Sequence, residues 1–238
     1  MTSQEMSKEF NIVFESVASM NAPGYTEYEK SVLLTQAQQD IAIETAKMGL
    51  DSNDYSREVL EKLITRYGTV APTEDSIVIQ STSTNRVYRV ALPTSPVFLY
   101  PYIEFAITGT GATYYERVCK PIDYDSYYTT ISNPYSNPYK DLYWRLYDNG
   151  YFLIITDGTQ LTTPYMKGLY ICKPDPIITA SISPLTIDGL SAITDMSTAR
   201  VLTPIVHREI VKRAAMKAYA AVKDQAGYQL QNAEQNDN

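Results

Sequence analysis

The stretch at residues 21–41, NAPGYTEYEKSVLLTQAQQDI, decides how the first part of the chain folds. Its Pro-Gly pair ends a preceding helix, which the spacing of apolar residues predicts over residues 4–20. Thr26 and Glu29 then have the spacing of a capping box, so a second helix should begin at this point. We expect this helix to end at Gly49, because glycine is the commonest residue just past a helix.

The second helix contains nothing that performs chemistry, so its apolar stripe must serve packing. Interface candidates on this helix are Leu34 and Ile41, which lie on that stripe, and Tyr28 near its start. Apolar residues at helical spacing predict a third helix over residues 56–67. Residues 1–68 are therefore interpreted as the N-terminal helices of a bundle.

Residues 69–200 have a different sequence pattern, in which β-branched and aromatic residues alternate with polar ones. The clearest hairpin joins two strand runs through Asn149 and Gly150, which form a strong turn signal. Short strands with frequent turns predict an antiparallel β-sandwich or small barrel. The strand candidates are SIVIQ, RVYRVAL, VFLYPYIEFAIT, TYYERVCK, LYWRLY, YFLIIT and GLYICK.

Residues 201–230 return to a helical pattern, with Thr203 as the cap and Pro204 at the first helical position. The final residues, 231–238, are polar and are interpreted as a flexible tail. The helix has a stripe of mostly small residues, which allows another helix to approach closely. Interface candidates on this stripe are Ile210, Ala214, Ala215 and Ala218.

Together these segments predict an α+β fold, in which a β-rich module is inserted into a helical bundle. The terminal helix needs a partner for its apolar face, and the N-terminal helices are the obvious one. Charge supports this pairing, since residues 1–68 carry 6 basic and 11 acidic groups, whereas residues 207–223 carry five basic groups and one acidic group.

Composition excludes several classes of protein. The 238-residue chain has a net charge of −7, which argues against broad binding of nucleic acid. It lacks an apolar run long enough to span a membrane, and its polar start predicts assembly in the cytoplasm. Cys119 and Cys172 are expected to be free and buried.

Tyrosine is the compositional outlier, with 21 residues, 15 of which fall between Tyr88 and Tyr170. Two interpretations stay open: outward strand positions with good β-propensity, or a contact surface. The tandem NPYSNPYK at residues 133–140 predicts two turns, each followed by an exposed tyrosine. Tyr135 and Tyr139 are therefore further interface candidates.

No motif for catalysis, metal binding or cofactor binding is convincing. His207 is the sole histidine and lies at the start of a helix, where packing or a local hydrogen bond explains it best. The glycine spacing around Ser191 is wrong for a nucleophile elbow. Residues 108–113, TGTGAT, lack the third glycine and the helix of a phosphate loop. Asp123 and Asp125 are two positions apart, and acidic residues at this spacing are too common by chance to indicate a glycosidase. We therefore expect no catalytic residue, cofactor or metal.

The two ends of the chain resemble head-to-tail connector proteins of crAss-like and related tailed bacteriophages. The first motif of that group is carried here by Pro23, Gly24, Tyr28, Glu29, Lys30 and Ser31. The second is carried by Leu202, Pro204, His207, Glu209 and Ile210. The resemblance covers about 90 residues at the two ends and does not include the β-rich module.

The resemblance implies a structural virion protein at the neck, without enzymatic activity. It implies a ring of twelve copies below the portal protein, with a second neck or tail ring protein beneath it. Genome DNA would pass through the lumen without specific binding, and no membrane would be involved. The alternative is a virion-associated receptor or glycan-binding β module, since sugars stack on aromatic faces; Trp144 is the one tryptophan available to it.

Overall fold

The protein contains both helices and strands, which confirms the α+β class. The computed structural model describes residues 1–17, 24–48, 54–70, 73–74, 85–92, 98–110, 113–131, 138, 142–148, 150–158 and 165–236. In the helix and strand residues at 100–116 and 222–236, few or no side chains are described.

The chain forms two compact units. One consists of Met1–Leu63 together with Lys173–Asn238, and the other is the intervening segment Ile64–Cys172. The second unit is thus continuous in sequence, whereas the first is built from both ends of the chain. The division of the chain predicted at residues 68, 200 and 230 stays a prediction.

The first unit is helical, and its second helix begins as the sequence predicts. Thr26 is the N-cap, its hydroxyl accepts a hydrogen bond from the Glu29 backbone, and the Glu29 carboxylate accepts one from the Thr26 backbone. Short 3-10 turns occupy Glu61–Leu63 and Pro204–Val206. The helices of this unit are α1 (Ser3–Val17), α2 (Glu27–Lys47), α3 (Asp54–Leu60) and α5 (His207–Asn236).

Helix α5 packs against both α1 and α2, as the complementary stripes indicate. Its small residues Ala214, Ala215 and Ala218 are buried, and small side chains permit close packing of helices. From α1, Phe10 and Phe14 stack on each other and meet the edge of the Tyr25 ring. The Tyr25 hydroxyl donates a hydrogen bond to the carbonyl of Ala218 at 2.9 Å, which fixes the chain before α2 to α5.

The second unit contains an eight-stranded sheet with the order β1-β8-β4-β5-β6-β7-β3-β2. Strands β1 and β2 form its two edges, so the described strands do not close into a barrel. The strands are β1 (Ile64–Val70), β2 (Thr73–Glu74), β3 (Arg86–Ala91), β4 (Phe98–Thr110), β5 (Thr113–Pro121), β6 (Leu142–Asp148), β7 (Tyr151–Thr156) and β8 (Tyr165–Cys172).

Six of the predicted strands are confirmed as β3 to β8, and β6 and β7 form the predicted antiparallel hairpin. The candidate SIVIQ lies outside the described residues. One pair departs from the expected antiparallel arrangement, since β5 and β6 are parallel. A parallel pair needs a crossover connection, and helix α4 (Tyr124–Ile131) lies in that connection.

The prediction of helix at residues 64–67 is wrong. Helix α3 ends at Leu60, and the chain enters strand β1 at Ile64, where it pairs with Ile171 of β8. Sequence spacing favoured a helix here, but pairing with a strand about 100 residues later stabilises the extended form.

The sheet has its own hydrophobic core, to which α4 contributes Tyr127. The Tyr127 and Trp144 rings meet edge to face, with centroids 6.5 Å apart. Tyr143 and Tyr170 are also buried, so these tyrosines serve the core and not an outer face. The core cluster consists of Val87, Tyr127, Trp144, Leu146, Leu153 and Ile155.

Candidate functional site

One side of helix α2 is hydrogen-bonded to the irregular segment that follows the sheet. The Thr179 backbone N–H donates to Ser31 Oγ at 3.1 Å. Gln38 Nε2 donates to the carbonyl of Asp175 at 2.9 Å. These side chains satisfy backbone groups that would otherwise be buried without a partner, so an extended segment can lie in the core without belonging to a sheet. We call residues 173–203 the strap.

The other side of α2 is ion-paired with helix α5. Glu44 pairs with Arg213, and Asp40 pairs with Lys217. Hydrogen bonds from Arg213 to Glu209 and to Glu44 raise the pKa of its guanidinium. The predicted electrostatic complementarity between the two ends of the chain is therefore confirmed. These pairs are partly exposed, so they favour the orientation of the helices more than the stability of the fold.

The strap also carries an ordered, exposed hairpin. Ile187 and Leu190 exchange two backbone hydrogen bonds at 2.9 and 3.0 Å around a turn formed by Asp188 and Gly189. Both turn residues have positive φ values, of 51° and 81°, as a tight hairpin turn requires. The carboxylate of Asp188 is paired with Lys173 at 2.8 Å, which fixes the turn to the start of the strap.

Aliphatic side chains on this hairpin lie in solvent although the backbone around them is fixed. Leu185, Leu190 and Ile193 are 51%, 50% and 48% exposed. We call these three residues the aliphatic ridge. A single exposed apolar residue on a surface needs no explanation, but three within nine positions of one hydrogen-bonded segment are a candidate contact surface.

The face of α5 that points away from α1 and α2 has a mixed apolar and basic character. Met216 is 72% exposed and Tyr219 is 40% exposed. Arg208 and Lys212 precede them at four-residue intervals and are exposed as well. These four residues therefore form one line along the helix, which we call the outer stripe.

His207 is buried, and its surroundings do not suit acid–base catalysis. Its Nε2 lies 3.0 Å from the carbonyl of Leu202, and because a carbonyl only accepts, Nε2 carries the proton. Burial lowers the pKa of the imidazole. The carboxylate of Asp195 accepts hydrogen bonds from Ser197, which lower its pKa, so it is engaged within its own loop. The local hydrogen bond predicted for His207 is confirmed.

The other residues considered for chemistry are placed apart from one another. Asp123 precedes α4 and Asp125 lies in its first turn, and both are exposed. Ser191 follows the hairpin, and its backbone carbonyl accepts a hydrogen bond from Ile182. Within the described ranges, no group of His, Cys, Asp and Glu is placed to hold a metal ion. Cys119 and Cys172 are buried thiols that are not bridged to each other, as predicted.

Comparison with known proteins shows the family of this chain. The sequence matches the family of phage tail ring protein 3/4 over residues 1–230. The chain belongs to this family. It is also similar to Ring protein 4/5 of Bacteroides phage crAss001, with 32% identity over 236 residues that cover 93% of each chain. The resemblance to crAss-like phage proteins that the two ends predicted is confirmed, and it extends through the β-rich part.

Most of the predicted interface residues of this ring protein lie in the core of its helical unit. Tyr28 is half-buried, and Tyr135 and Tyr139 lie outside the described residues. Their assignment to an interface between molecules stays a prediction. The buried candidates are Leu34, Ile41, Ile210, Ala214, Ala215 and Ala218, of which none is more than 4% exposed.

Sequence reasoning missed the aliphatic ridge and the outer stripe. The Asp188-Gly189 dipeptide is a strong hairpin signal that could have located this turn. The outer stripe has no sequence signal of its own, because its residues are simply those that do not belong to the buried stripe of α5.

Trp144 is only 3% exposed, so it offers no stacking surface to a sugar. Across the described residues, no helix combines the length and apolar character needed to cross a membrane.

Proposed function

We propose that this protein is a structural virion component that forms a ring below the portal protein, joins the capsid to the tail, and continues the DNA channel. The observation that carries the proposal is the family match over residues 1–230, together with the similarity of nearly the whole chain to a protein named as a ring protein.

The described structure supports a role in assembly. A ring subunit needs contact surfaces on a stable scaffold, and both the aliphatic ridge and the outer stripe are exposed apolar surfaces on ordered backbone. The helical unit is itself held by many contacts between the two ends of the chain, so its surfaces are fixed relative to one another. Fixed surfaces reduce the entropy lost when copies assemble.

The charge of the chain suits a channel for DNA. A net charge of −7 per copy, repeated around a ring, gives a surface that repels phosphate. DNA therefore passes without specific binding, because tight binding of the backbone requires clustered lysine and arginine. The ring is proposed to contain twelve copies and to be assembled in the host cytoplasm.

The proposed partners are the portal protein, neighbouring copies of the chain, and the next neck or tail ring protein. We assign the β-rich module, including the tyrosines of residues 133–140, to the contact with that next ring. Deleting residues 133–140 should then reduce tail attachment while the ring itself still forms. Normal tail attachment in the deletion variant would show that this loop is only a connection.

The experiment that tests the proposal is a phage whose copy of this gene carries an early stop codon. Electron microscopy of lysates should then show capsids without attached tails, because the joint between the two is missing. Expression of the wild-type chain from a plasmid should restore tailed particles. Tailed, infectious particles in the absence of the protein would overturn the proposed function.

A further inference from the structure

The helical unit is closed by contacts between residues that lie far apart in the chain. Gln38 on α2 donates a hydrogen bond to the carbonyl of Asp175, across 137 residues. Ser31 accepts one from the backbone of Thr179, across 148 residues. Joining the ends of such a long flexible segment costs conformational entropy. Any structure that already holds α2 and the strap close together therefore stabilises the helical unit.

The inserted sheet has its first and last strands side by side. Strand β1 pairs antiparallel with β8, and its first residue, Ile64, lies opposite Ile171. Opposed Cα atoms in such a pair are about 5 Å apart. Leu63 is the last residue of the helical unit before the sheet, and Lys173 is the first residue after it. The pairing of β1 with β8 thus brings together the two points at which the chain leaves and re-enters the helical unit.

The strap makes its contacts with α2 as soon as the chain leaves β8. Only Lys173 and Pro174 separate the end of β8 from the first of these contacts. The partners on α2 follow in reverse order, so the strap and the helix run antiparallel in a fixed register. The pairs are Asp175 with Gln38, Ile177 with Thr35 and Thr179 with Ser31. A formed sheet therefore delivers the strap to the helical unit with little chain left to order.

The sheet contains the contacts that it needs to fold by itself. Its described strands all lie between Ile64 and Cys172, and its core cluster lies between Val87 and Ile155. Strand β8 pairs with β4 as well as with β1, so its position is fixed from within the sheet. The sheet is continuous in sequence, whereas the helical unit is complete only when the two ends of the chain meet.

We propose that the sheet folds independently and that its β1–β8 pairing holds α2 and the strap within reach of each other. The sheet is then stable without the helical unit, whereas the helical unit is not stable without the sheet. The surfaces of the helical unit are present only on copies whose sheet has formed. In a ring, a step that rests on the proposed function, this dependence excludes incompletely folded copies from assembly.

Urea unfolding of the full-length protein tests the dependence, because the two units carry separate spectroscopic probes. Trp144 is the sole tryptophan and lies in the core cluster of the sheet, so its fluorescence reports on the sheet. Far-ultraviolet circular dichroism of helices reports mainly on the helical unit. That unit contains α1, α2, α3 and α5, whereas α4 of the sheet unit has 8 residues.

The first variant disrupts the helical unit. Ala215→Glu places a charge at a buried position of α5, so the helical signal should be lost at a lower urea concentration than in wild type. After that loss, Trp144 should keep its native emission and should still unfold in a cooperative transition. Met216→Glu is the exposed control, and both of its signals should follow wild type. Emission typical of an unfolded chain as soon as the helical signal is lost would overturn the independence of the sheet.

The second variant disrupts the sheet. Leu153→Ala removes a fully buried side chain from the core cluster, so the Trp144 transition should move to lower urea. The helical signal should be lost in that transition or before it, and never after it. Should this variant not fold at all, Ile155→Val creates a smaller cavity and replaces it.

A helical signal that persists in urea at which Trp144 is already unfolded would overturn the dependence of the helical unit on the sheet. These measurements use the isolated protein. Absence of the protein from virions would instead overturn the proposed function and leave the unfolding results unchanged.

Discussion

The side-chain oxygen of Thr35 accepts a hydrogen bond at 3.0 Å from the backbone N–H of Ile177, which lies 142 residues later in the chain. The same hydroxyl donates to the carbonyl of Ser31 at 2.7 Å. Thr35 lies on α2 and Ile177 on the strap, so this bond joins segments that precede and follow the inserted sheet in sequence. The helical unit is closed by such contacts, and its stability depends on residues that are distant in sequence.

Replacing Thr35 with valine should destabilise the protein by about 1–3 kcal/mol, because the buried N–H of Ile177 is left without an acceptor. Thr35→Ser keeps the hydroxyl and should cost clearly less. Urea unfolding of the two variants and the wild type measures the difference. Equal stability of the valine and serine variants would show that the hydrogen bond contributes nothing.

Replacing Ala215 with glutamate should destabilise the fold by at least about 3 kcal/mol, because the side chain is buried where α5 packs. Met216→Glu is the matched control, since it places the same charge on the next residue, which is 72% exposed. The free energy of unfolding of this control should lie within about 0.5 kcal/mol of the wild-type value. Tailed particles formed normally by Ala215→Glu would contradict a packing role for this face of α5.

Gly150 follows β6 with a φ of +85°, which side-chain-bearing residues adopt at a cost. Gly150→Ala should therefore destabilise the protein by about 1–2 kcal/mol, although nothing lies within 4 Å of the added methyl group. Gly24→Ala is the control, because that position also has open space but no positive φ. Thermal unfolding should show a lower Tm for the first variant only; a Tm loss common to both would mean that strain at Gly150 is not the cause.

His207 should make stability depend on pH between about 7 and 5.5, the range around the ordinary pKa of histidine. Burial lowers the pKa of its imidazole in the folded state, so only the unfolded state takes up a proton as pH falls below about 6.5. Stability is therefore fully present above that pH and is lost as pH falls toward the folded pKa. The loss between pH 7 and 5.5 should reach up to about 1.3 kcal/mol.

His207→Gln should flatten this dependence, and it is a clean test because the chain has one histidine. Glutamine retains an N–H that can donate to the carbonyl of Leu202. Urea midpoints of wild type and variant at the two ends of that pH range supply the comparison. An identical loss of stability in both proteins would show that the imidazole is not the titrating group.

Local signals made the start of α2 predictable from sequence. The capping box of Thr26 and Glu29 is a contact between residues three apart, and it forms as expected. The similar pair at the chain start, Thr2 and Glu5, has the same spacing and makes the same reciprocal hydrogen bonds. Both boxes depend on neighbours along the chain and not on the rest of the fold.

Distant pairing explains what sequence reasoning could not predict. Ile64 lies at helical spacing after α3, yet it pairs with Ile171 of β8. Helix α4 contains several tyrosines and threonines, which have modest helix propensity, and its position is fixed by Tyr127 against Trp144. The aliphatic ridge and the outer stripe could not be predicted from sequence either. Which side of a segment is exposed is known only once its packing partners are known.

The central claim is that this protein is a stoichiometric component of the virion, and its copy number tests that claim most directly. Quantitative mass spectrometry of purified virions should compare peptides of this chain with peptides of the portal protein. We predict a ratio near one, as for a ring matched to the portal. Absence of the protein from purified particles would contradict the account.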